Sequence, residues 1–148
     1  MNPPLPDSPI TRQAYEEFIY TIREHYPSIQ VSTLVVKMVA SQKAEVVGSL
    51  FFADDIRLEV TQSISFDEHQ IEGYGYEVYR GEEKLYWYDS QPHPHEPSLQ
   101  STHPHHKHVP PDIKHHRVPA SGLSFTRANL PFLIEEIQST WPPGEPTT

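Results

Sequence analysis

Apolar residues recur along this chain at two periods, helical and strand-like, in a fixed order. The first apolar stripe has helical spacing and consists of Tyr15, Phe18, Ile19, Ile22 and Tyr26. Ser8-Pro9 before it is a typical helix start, and Tyr26-Pro27 is a typical stop. The pattern therefore predicts an N-terminal amphipathic helix whose apolar stripe packs on a core.

Five strand-like segments follow, each bounded by a polar or glycine-containing break: 30–40, 45–52, 56–66, 71–80 and 84–89. In the third segment, Ile56, Leu58 and Val60 alternate with charged or hydroxyl side chains, so one face is expected to be buried and the other wet. The connections are too short for crossover helices. The pattern predicts an antiparallel meander.

Helical spacing returns near the C-terminus in Leu130, Leu133, Ile134, Ile137 and Trp141, with Asn129 as the expected N-cap and Pro131 in the first turn. The predicted fold class is α+β: a five-stranded antiparallel meander with the N- and C-terminal helices packed on one face, and a long Pro/His-rich loop before the last helix. We expect one domain over 9–141, a flexible lead-in over 1–8 and a flexible tail over 142–148.

Composition narrows the functional classes. The chain has no cysteine, which excludes disulfides and thiolate metal sites. It shows no secretion signal and no apolar run that predicts a membrane span, so we expect a cytoplasmic protein with no membrane partner. The net charge of −9 disfavours a surface that coats nucleic acid. Residues 1–90 hold fifteen acidic against seven basic side chains, and residues 91–148 hold five against four, so the second part is the better place for an anion.

The segment from His93 to His116 holds eight of the ten histidines and starts where the fifth predicted strand ends. A strand end holds a side chain rigidly, so Asp89 is expected to orient a nearby imidazole such as His93 or His105. Taken alone, Asp89 also fits a turn carboxylate that caps its own backbone. The density of histidines favours a working site over a plain linker.

Two kinds of chemistry fit these residue types. In metal-free cleavage of RNA, a neutral histidine takes the proton of the 2′-hydroxyl, a protonated histidine supplies one to the leaving 5′-oxygen, and a cation stabilises the phosphate. The segment offers these candidates: His105, His106, His108, Lys107 and Arg117. In the alternative, a module without catalysis docks a partner or binds zinc or nickel through His93, His95, His103, His105 and His108. Their spacing matches no established zinc motif.

Aromatic residues are dense in the last two predicted strands: Tyr74, Tyr76, Tyr79, Tyr86, Trp87 and Tyr88. Core and cross-strand packing is favoured over stacking of nucleic-acid bases. If one of them faces the site, Tyr88 beside Asp89 is the candidate.

Residues 88–93, Tyr-Asp-Ser-Gln-Pro-His, followed by Pro-His-His-Lys-His at 104–108, resemble the TumE family of prokaryotic toxin–antitoxin systems. The resemblance extends from about Val31 onward and is most specific between Asp89 and His108. The extra histidines His95, His103, His115 and His116 depart from the family pattern.

The resemblance implies a toxin that a cognate antitoxin protein neutralises. It carries over these catalytic candidates: Asp89, His93, His105, His106, Lys107 and His108. By analogy with toxins of this size, the expected activity is that of a metal-independent endoribonuclease with RNA as substrate and no cofactor. Tyr88, Lys114 and Arg117 are the candidate substrate-binding residues, and a homodimer is left open.

Overall fold

The structure, a computed structural model, describes residues 10–90, 106–109, 117–119 and 122–142. Its elements in chain order are α1 (Arg12–Tyr20), α2 (Ile22–His25), β1 (Val31–Ser32), β2 (Val35–Ala40), β3 (Lys43–Phe51), β4 (Ile56–Ser65), β5 (Gln70–Arg80), β6 (Glu83–Asp89), β7 (His106–His108), β8 (Arg117–Pro119) and α3 (Leu130–Thr140). The strands form one sheet in the order β1-β3-β4-β5-β6-β7-β8, and β2 also pairs with β3. The pairings among these strands are antiparallel.

The predicted α+β class and antiparallel sheet are confirmed, but the count of five strands was too low. The segment predicted as one strand over 30–40 forms β1 and β2, which lie along successive parts of β3. The link between them passes close to Gly48, where an added Cβ would lie 2.6 Å from the carbonyl oxygen of Thr33. Two further short strands, β7 and β8, lie in the segment that was predicted to be a loop.

The N-terminal helix begins later than the sequence predicted. Thr11 is its N-cap, and the Thr11 hydroxyl accepts a hydrogen bond from the backbone N–H of Ala14 at 3.3 Å. Ser8, the expected cap, lies outside the described residues. The helical stretch is interrupted at Thr21, between α1 and α2. The buried stripe of Tyr15, Phe18, Ile19 and Ile22 is confirmed.

The C-terminal helix is confirmed with Pro131 in its first turn, and four residues of its predicted stripe are buried: Leu130, Leu133, Ile134 and Ile137. Trp141, the fifth, is the C-cap residue and is partly buried. Asn129 is the N-cap residue, as predicted, but its side chain makes no capping hydrogen bond to the helix. Its Oδ1 instead accepts from the N–H of Ser124 at 2.8 Å, and its Nδ2 donates to the hydroxyl of Tyr76 at 3.0 Å. The side chain is therefore committed to the preceding loop and to the sheet.

A buried polar chain fastens both helices to the same face of the sheet. Tyr15 on α1 donates to Gln62 on β4 at 2.6 Å, and the Gln62 amide donates to the hydroxyl of Tyr76 on β5 at 2.6 Å. Asn129 reaches Tyr76 from the other side. Because these groups are fully desolvated, each bond offsets a burial cost of about 1–3 kcal/mol per polar group. The helices are thus held in register with the strands.

The two faces of the sheet differ in character. We call the side that contains Gln62, Tyr76 and Tyr88 the helix face, since both helices pack there. The opposite side, which contains Glu77, Trp87 and Asp89, we call the open face, because no other described element packs on it. Alternation along the strands assigns each side chain to one face or the other.

Candidate functional site

Part of the Pro/His segment joins the sheet as strand β7, next to β6. His108 pairs with Trp87, Lys107 with Tyr88 and His106 with Asp89. This register brings the strand-end carboxylate of Asp89 beside the second half of the histidine-rich segment. Since facing residues of paired strands share a side of the sheet, His108 lies on the open face with Trp87 and Asp89.

Asp89 and His108 form a close pair on this face. The Nε2 atom of His108 lies 2.9 Å from Oδ2 of Asp89, and the His108 ring stacks on Trp87 with the ring centroids 4.2 Å apart and the planes 17° from parallel. The stacking fixes the plane of the imidazole, and the carboxylate fixes the nitrogen that carries the proton. The carboxylate at the strand end thus contacts the imidazole of His108, whereas the predicted partners, His93 and His105, lie outside the described residues.

The two members of the pair differ in their access to solvent. The His108 side chain is 2% exposed, and the Asp89 side chain is 22% exposed. The carboxylate is therefore the more accessible member of the pair. The pair can hold or pass a proton along one short hydrogen bond, which is the property that general acid–base chemistry requires.

Lys107 and Tyr88 lie on the helix face, away from this pair. Lys107 forms an ion pair of 3.0 Å with Glu136 of α3, and the Tyr88 hydroxyl lies 2.7 Å from both oxygens of that carboxylate. Burial, followed by the hydrogen bond to Glu136, raises the pKa of Tyr88 well above its ordinary value. The structure does not bring these two candidates to Asp89 and His108, because neighbours along a strand point to opposite faces.

Tyr86 lies on the same face, and its ring packs in parallel with that of Trp141 at 6.3 Å. Its hydroxyl is buried, and no described group hydrogen-bonds it in good geometry. Burial and the nearby negative charge of Glu136 raise the pKa of Tyr86 above its ordinary value. Lys107 lies over this ring as well, 4.7 Å from its centroid.

The remaining candidates are described only in part or not at all. The backbones of His106 and Arg117 lie in β7 and β8, where Arg117 pairs with His108. The other candidates lie outside the described residues: His93, His95, His103, His105 and Lys114. Among the residues that the structure does describe, no three His, Asp or Glu side chains come together to hold a metal ion. The zinc or nickel alternative stays a prediction.

The aromatic cluster divides between the two faces. Four tyrosines are buried on the helix face, as the packing interpretation predicted: Tyr74, Tyr76, Tyr86 and Tyr88. Tyr79 and Trp87 lie on the open face, half-buried. Sequence reasoning did not single out Trp87 as a partner of a histidine. The signal was present, since Trp87 lies two residues before Asp89 and alternation puts both on one face.

Comparisons with known proteins agree with the resemblance found in the sequence. The model of the family described as toxin TumE matches residues 17–140. No match was found among curated proteins or among solved structures. No helix in the described part of the chain is long and apolar enough to cross a bilayer. Since the matched region spans most of the 148 residues, the chain belongs to the TumE toxin family.

Proposed function

We propose that this toxin is a metal-independent endoribonuclease in which the Asp89–His108 pair performs one of the two proton transfers. The observation that carries the proposal is the 2.9 Å contact between the carboxylate and the imidazole at the end of β6. Membership in a toxin family supports a growth-inhibiting activity, and RNA cleavage is a reaction that these residue types can catalyse without a cofactor.

The proposed reaction is attack by a ribose 2′-oxygen on the adjacent phosphorus, with loss of the 5′-oxygen of the next nucleotide. The Asp89–His108 pair accepts the proton of the 2′-hydroxyl as the new P–O bond forms. A second, protonated imidazole donates to the 5′-oxygen as the old P–O bond breaks. Candidates for this second group are His93, His105 and His106. The products are a 2′,3′-cyclic phosphate and a 5′-hydroxyl, which balance atoms and protons.

Charge stabilisation on the phosphate requires a cation near the pair. Lys107 is held by Glu136 on the other face, so we assign this role to Lys114 or Arg117. The backbone of Arg117 pairs with His108 in the sheet, which places that position next to the site.

Family membership also supports a protein partner. A toxin of this kind requires a cognate antitoxin, which we propose binds the chain and blocks the open face around Asp89. The proposal gives a role to the partly exposed carboxylate of Asp89 in a protein whose activity has to be suppressed in its own cell.

The test is cleavage of a defined RNA by protein purified without a histidine tag, with and without a chelator. We expect cleavage that survives the chelator and products that end in a 2′,3′-cyclic phosphate. Asp89→Asn and His108→Ala should each lower the rate by about 100-fold or more. His25→Ala, a histidine on α2 distant from β7, is the matched control and should keep the rate.

Because His108 is buried, its removal also risks unfolding the protein. Asp89→Asn keeps the shape of the side chain and separates the two effects: its melting temperature should stay close to that of the parent while its cleavage is lost. If both Asp89→Asn and His108→Ala fold and still cut RNA at the parent rate, the proposal fails. Activity that is lost with the chelator and restored by zinc or nickel would favour the metal-binding alternative.

A further inference from the structure

Lys107 is surrounded on the helix face by one carboxylate and two aromatic rings. Its ammonium forms an ion pair of 3.0 Å with Glu136 of α3. The same ammonium lies 4.7 Å from the centre of the Tyr86 ring and 5.2 Å from that of Tyr88, distances at which a ring face attracts a cation. We call Glu136, Tyr86 and Tyr88 the lysine cage.

The carboxylate of the cage joins two neighbouring strands from the helix side. The Tyr88 hydroxyl of β6 lies 2.7 Å from both oxygens of Glu136, and Lys107 of β7 pairs with one of them. Tyr88 and Lys107 are directly opposite each other in the sheet. Helix α3, which carries Glu136, is itself held by a buried apolar stripe. Glu136 therefore links β6 and β7 to a fixed helix at one position of the ladder.

The ion pair in the cage is more shielded than an ordinary surface pair. The side chains of Lys107 and Glu136 are 24% and 22% exposed, against 53% and 37% for Lys43 and Glu72. Partly buried pairs are screened less by salt, and loss of one partner leaves the other charge poorly solvated. The cage therefore favours a permanent cation at the position opposite Tyr88.

The backbone ladder does not by itself choose the register of β7. This strand has three residues, and its backbone groups could pair with β6 in any register. Lys107 has a histidine on either side. A shift by two residues would put His106 opposite Trp87, where His108 lies, and His105 in the cage. An imidazole would again lie opposite the tryptophan, so the histidines alone do not distinguish these registers.

A shift by one residue would exchange the two faces of the strand. It would put a histidine in the cage and Lys107 on the open face. An imidazole is mostly uncharged at neutral pH, so it would not give Glu136 a permanent ion pair. Among residues 105–108, the lysine is the one permanent cation. The observed register is the one that puts it in the cage.

We propose that Lys107 is a positioning residue: its contact with Glu136 fixes the register of β7 and so places His108, and not His106, beside Asp89. The consequence for catalysis rests on the endoribonuclease function proposed above. The structural part does not depend on the substrate. Lys107 thus acts on the reaction through His108, without contact with RNA.

The register can be measured by NMR on the full chain, labelled with ¹³C and ¹⁵N and purified without a histidine tag. Stacking at 4.2 Å should shift the ring protons of His108 upfield and give nuclear Overhauser contacts between that ring and Trp87. Lys107→Met keeps an apolar stem and removes the charge, so these contacts should lose most of their intensity. Glu136→Gln removes the other charge and should weaken them in the same direction.

Three further variants separate the ion pair from general effects. Lys107→Arg keeps a cation that can pair with a carboxylate and should retain the contacts of His108 with Trp87. Lys43→Met removes an ion pair of 3.2 Å with Glu72, distant from β7, and should leave them unchanged. The double variant Lys107→Met/Glu136→Gln should be no worse than Lys107→Met, because the two side chains act through one contact.

RNA cleavage gives the second readout. Lys107→Met should lower kcat by about tenfold or more and change KM by less than about twofold, because a misplaced base slows the reaction while the residue itself does not bind substrate. Lys107→Arg should recover most of the rate. Thermal unfolding of each variant checks that the fold is retained.

The proposal is overturned if folded Lys107→Met keeps the contacts between His108 and Trp87. If Lys107→Met does not fold, Glu136→Gln decides, and unchanged contacts in that variant overturn the proposal as well. These outcomes differ from failure of the proposed function. If cleavage falls in Lys107→Met while the contacts persist, the positioning role is wrong and the nuclease stands. If the contacts are lost as expected but the parent cuts no RNA, the nuclease is wrong and the positioning role stands.

Discussion

At the scale of single residues, Tyr86 and Tyr88 give a controlled comparison on one strand. Both rings are buried on the helix face near Glu136, but Tyr88 hydrogen-bonds the carboxylate and Tyr86 has no partner in good geometry among the described groups. We expect Tyr88→Phe to lower the free energy of unfolding by about 1.5–3 kcal/mol, since it removes a hydrogen bond to a charged group. Urea denaturation at neutral pH measures this change.

Tyr86→Phe removes a buried hydroxyl that no described group hydrogen-bonds in good geometry, so the same measurement should show a neutral or stabilising change of up to about 1 kcal/mol. The two substitutions delete the same atom from neighbouring positions, which controls for the loss of volume. If both variants lose the same stability, the difference assigned to Glu136 is wrong.

The alternation of side chains along strands β6 and β7 explains which parts of the site the sequence could predict. The position of Asp89 at a strand end followed from the pattern of residues 84–89 and is confirmed, and its observed partner is His108, which the sequence had not paired with it. The sequence grouped Lys107 with His108 because they are neighbours. In strand β7, neighbouring side chains point to opposite faces of the sheet. Lys107 therefore forms an ion pair with Glu136 on the helix face, and His108 contacts Asp89 on the open face.

At the scale of elements, two glycines in adjacent parts of the sheet have different roles. Gly48 on β3 has a φ of +139°, and a Cβ there would lie 2.6 Å from the carbonyl oxygen of Thr33. Gly48→Ala should destabilise the fold by about 2 kcal/mol or more, because the link between β1 and β2 has to move away.

Gly75→Ala is the matched control on β5. Its added methyl group meets no described atom within 4 Å, so the melting temperature should change by much less than for Gly48→Ala. Equal losses in both variants would show that the general strain of alanine for glycine, and not the approach of Thr33, governs Gly48.

Strand β7 could not be predicted from the local pattern. It has three residues, and a period of two cannot be recognised in so short a segment that contains only His-Lys-His. What makes it a strand is pairing with β6, from which it is separated by a long stretch of chain. Longer elements such as α3 and β4 carried enough periodic positions to be predicted from the sequence alone.

The start of α1 shows a second limit of local signals. Ser8-Pro9 and Thr11 both fit helix starts, and the choice between them depends on packing. Ile10 is 3% exposed, and its carbonyl oxygen contacts Nδ1 of His69 at 3.0 Å. Ile10, the residue before the N-cap Thr11, is thus held against the turn that contains His69. This contact favours a helix that begins after Thr11.

At the scale of the whole molecule, the helix face contains a layer of buried tyrosine hydroxyls. Because of this layer, we expect the stability of the fold to decrease at alkaline pH. Burial is the largest cause that raises the pKa of Tyr15, Tyr76 and Tyr88 above the ordinary value of about 10. In the unfolded chain these groups ionise near pH 10, while the native state retains their protons. The native state therefore binds more protons above pH 10, and its stability is fully present below that pH and falls as the pH rises.

Each tyrosine that retains its proton in the native state should steepen this fall by about 1.4 kcal/mol per pH unit. The measurement is the urea unfolding free energy as a function of pH, followed together with tyrosinate absorbance. We expect the buried tyrosines to ionise only as the sheet unfolds, so that absorbance and circular dichroism change together. Tyr86→Phe should flatten the fall because it removes one such group. Complete ionisation with the sheet intact would contradict the role given to this buried layer.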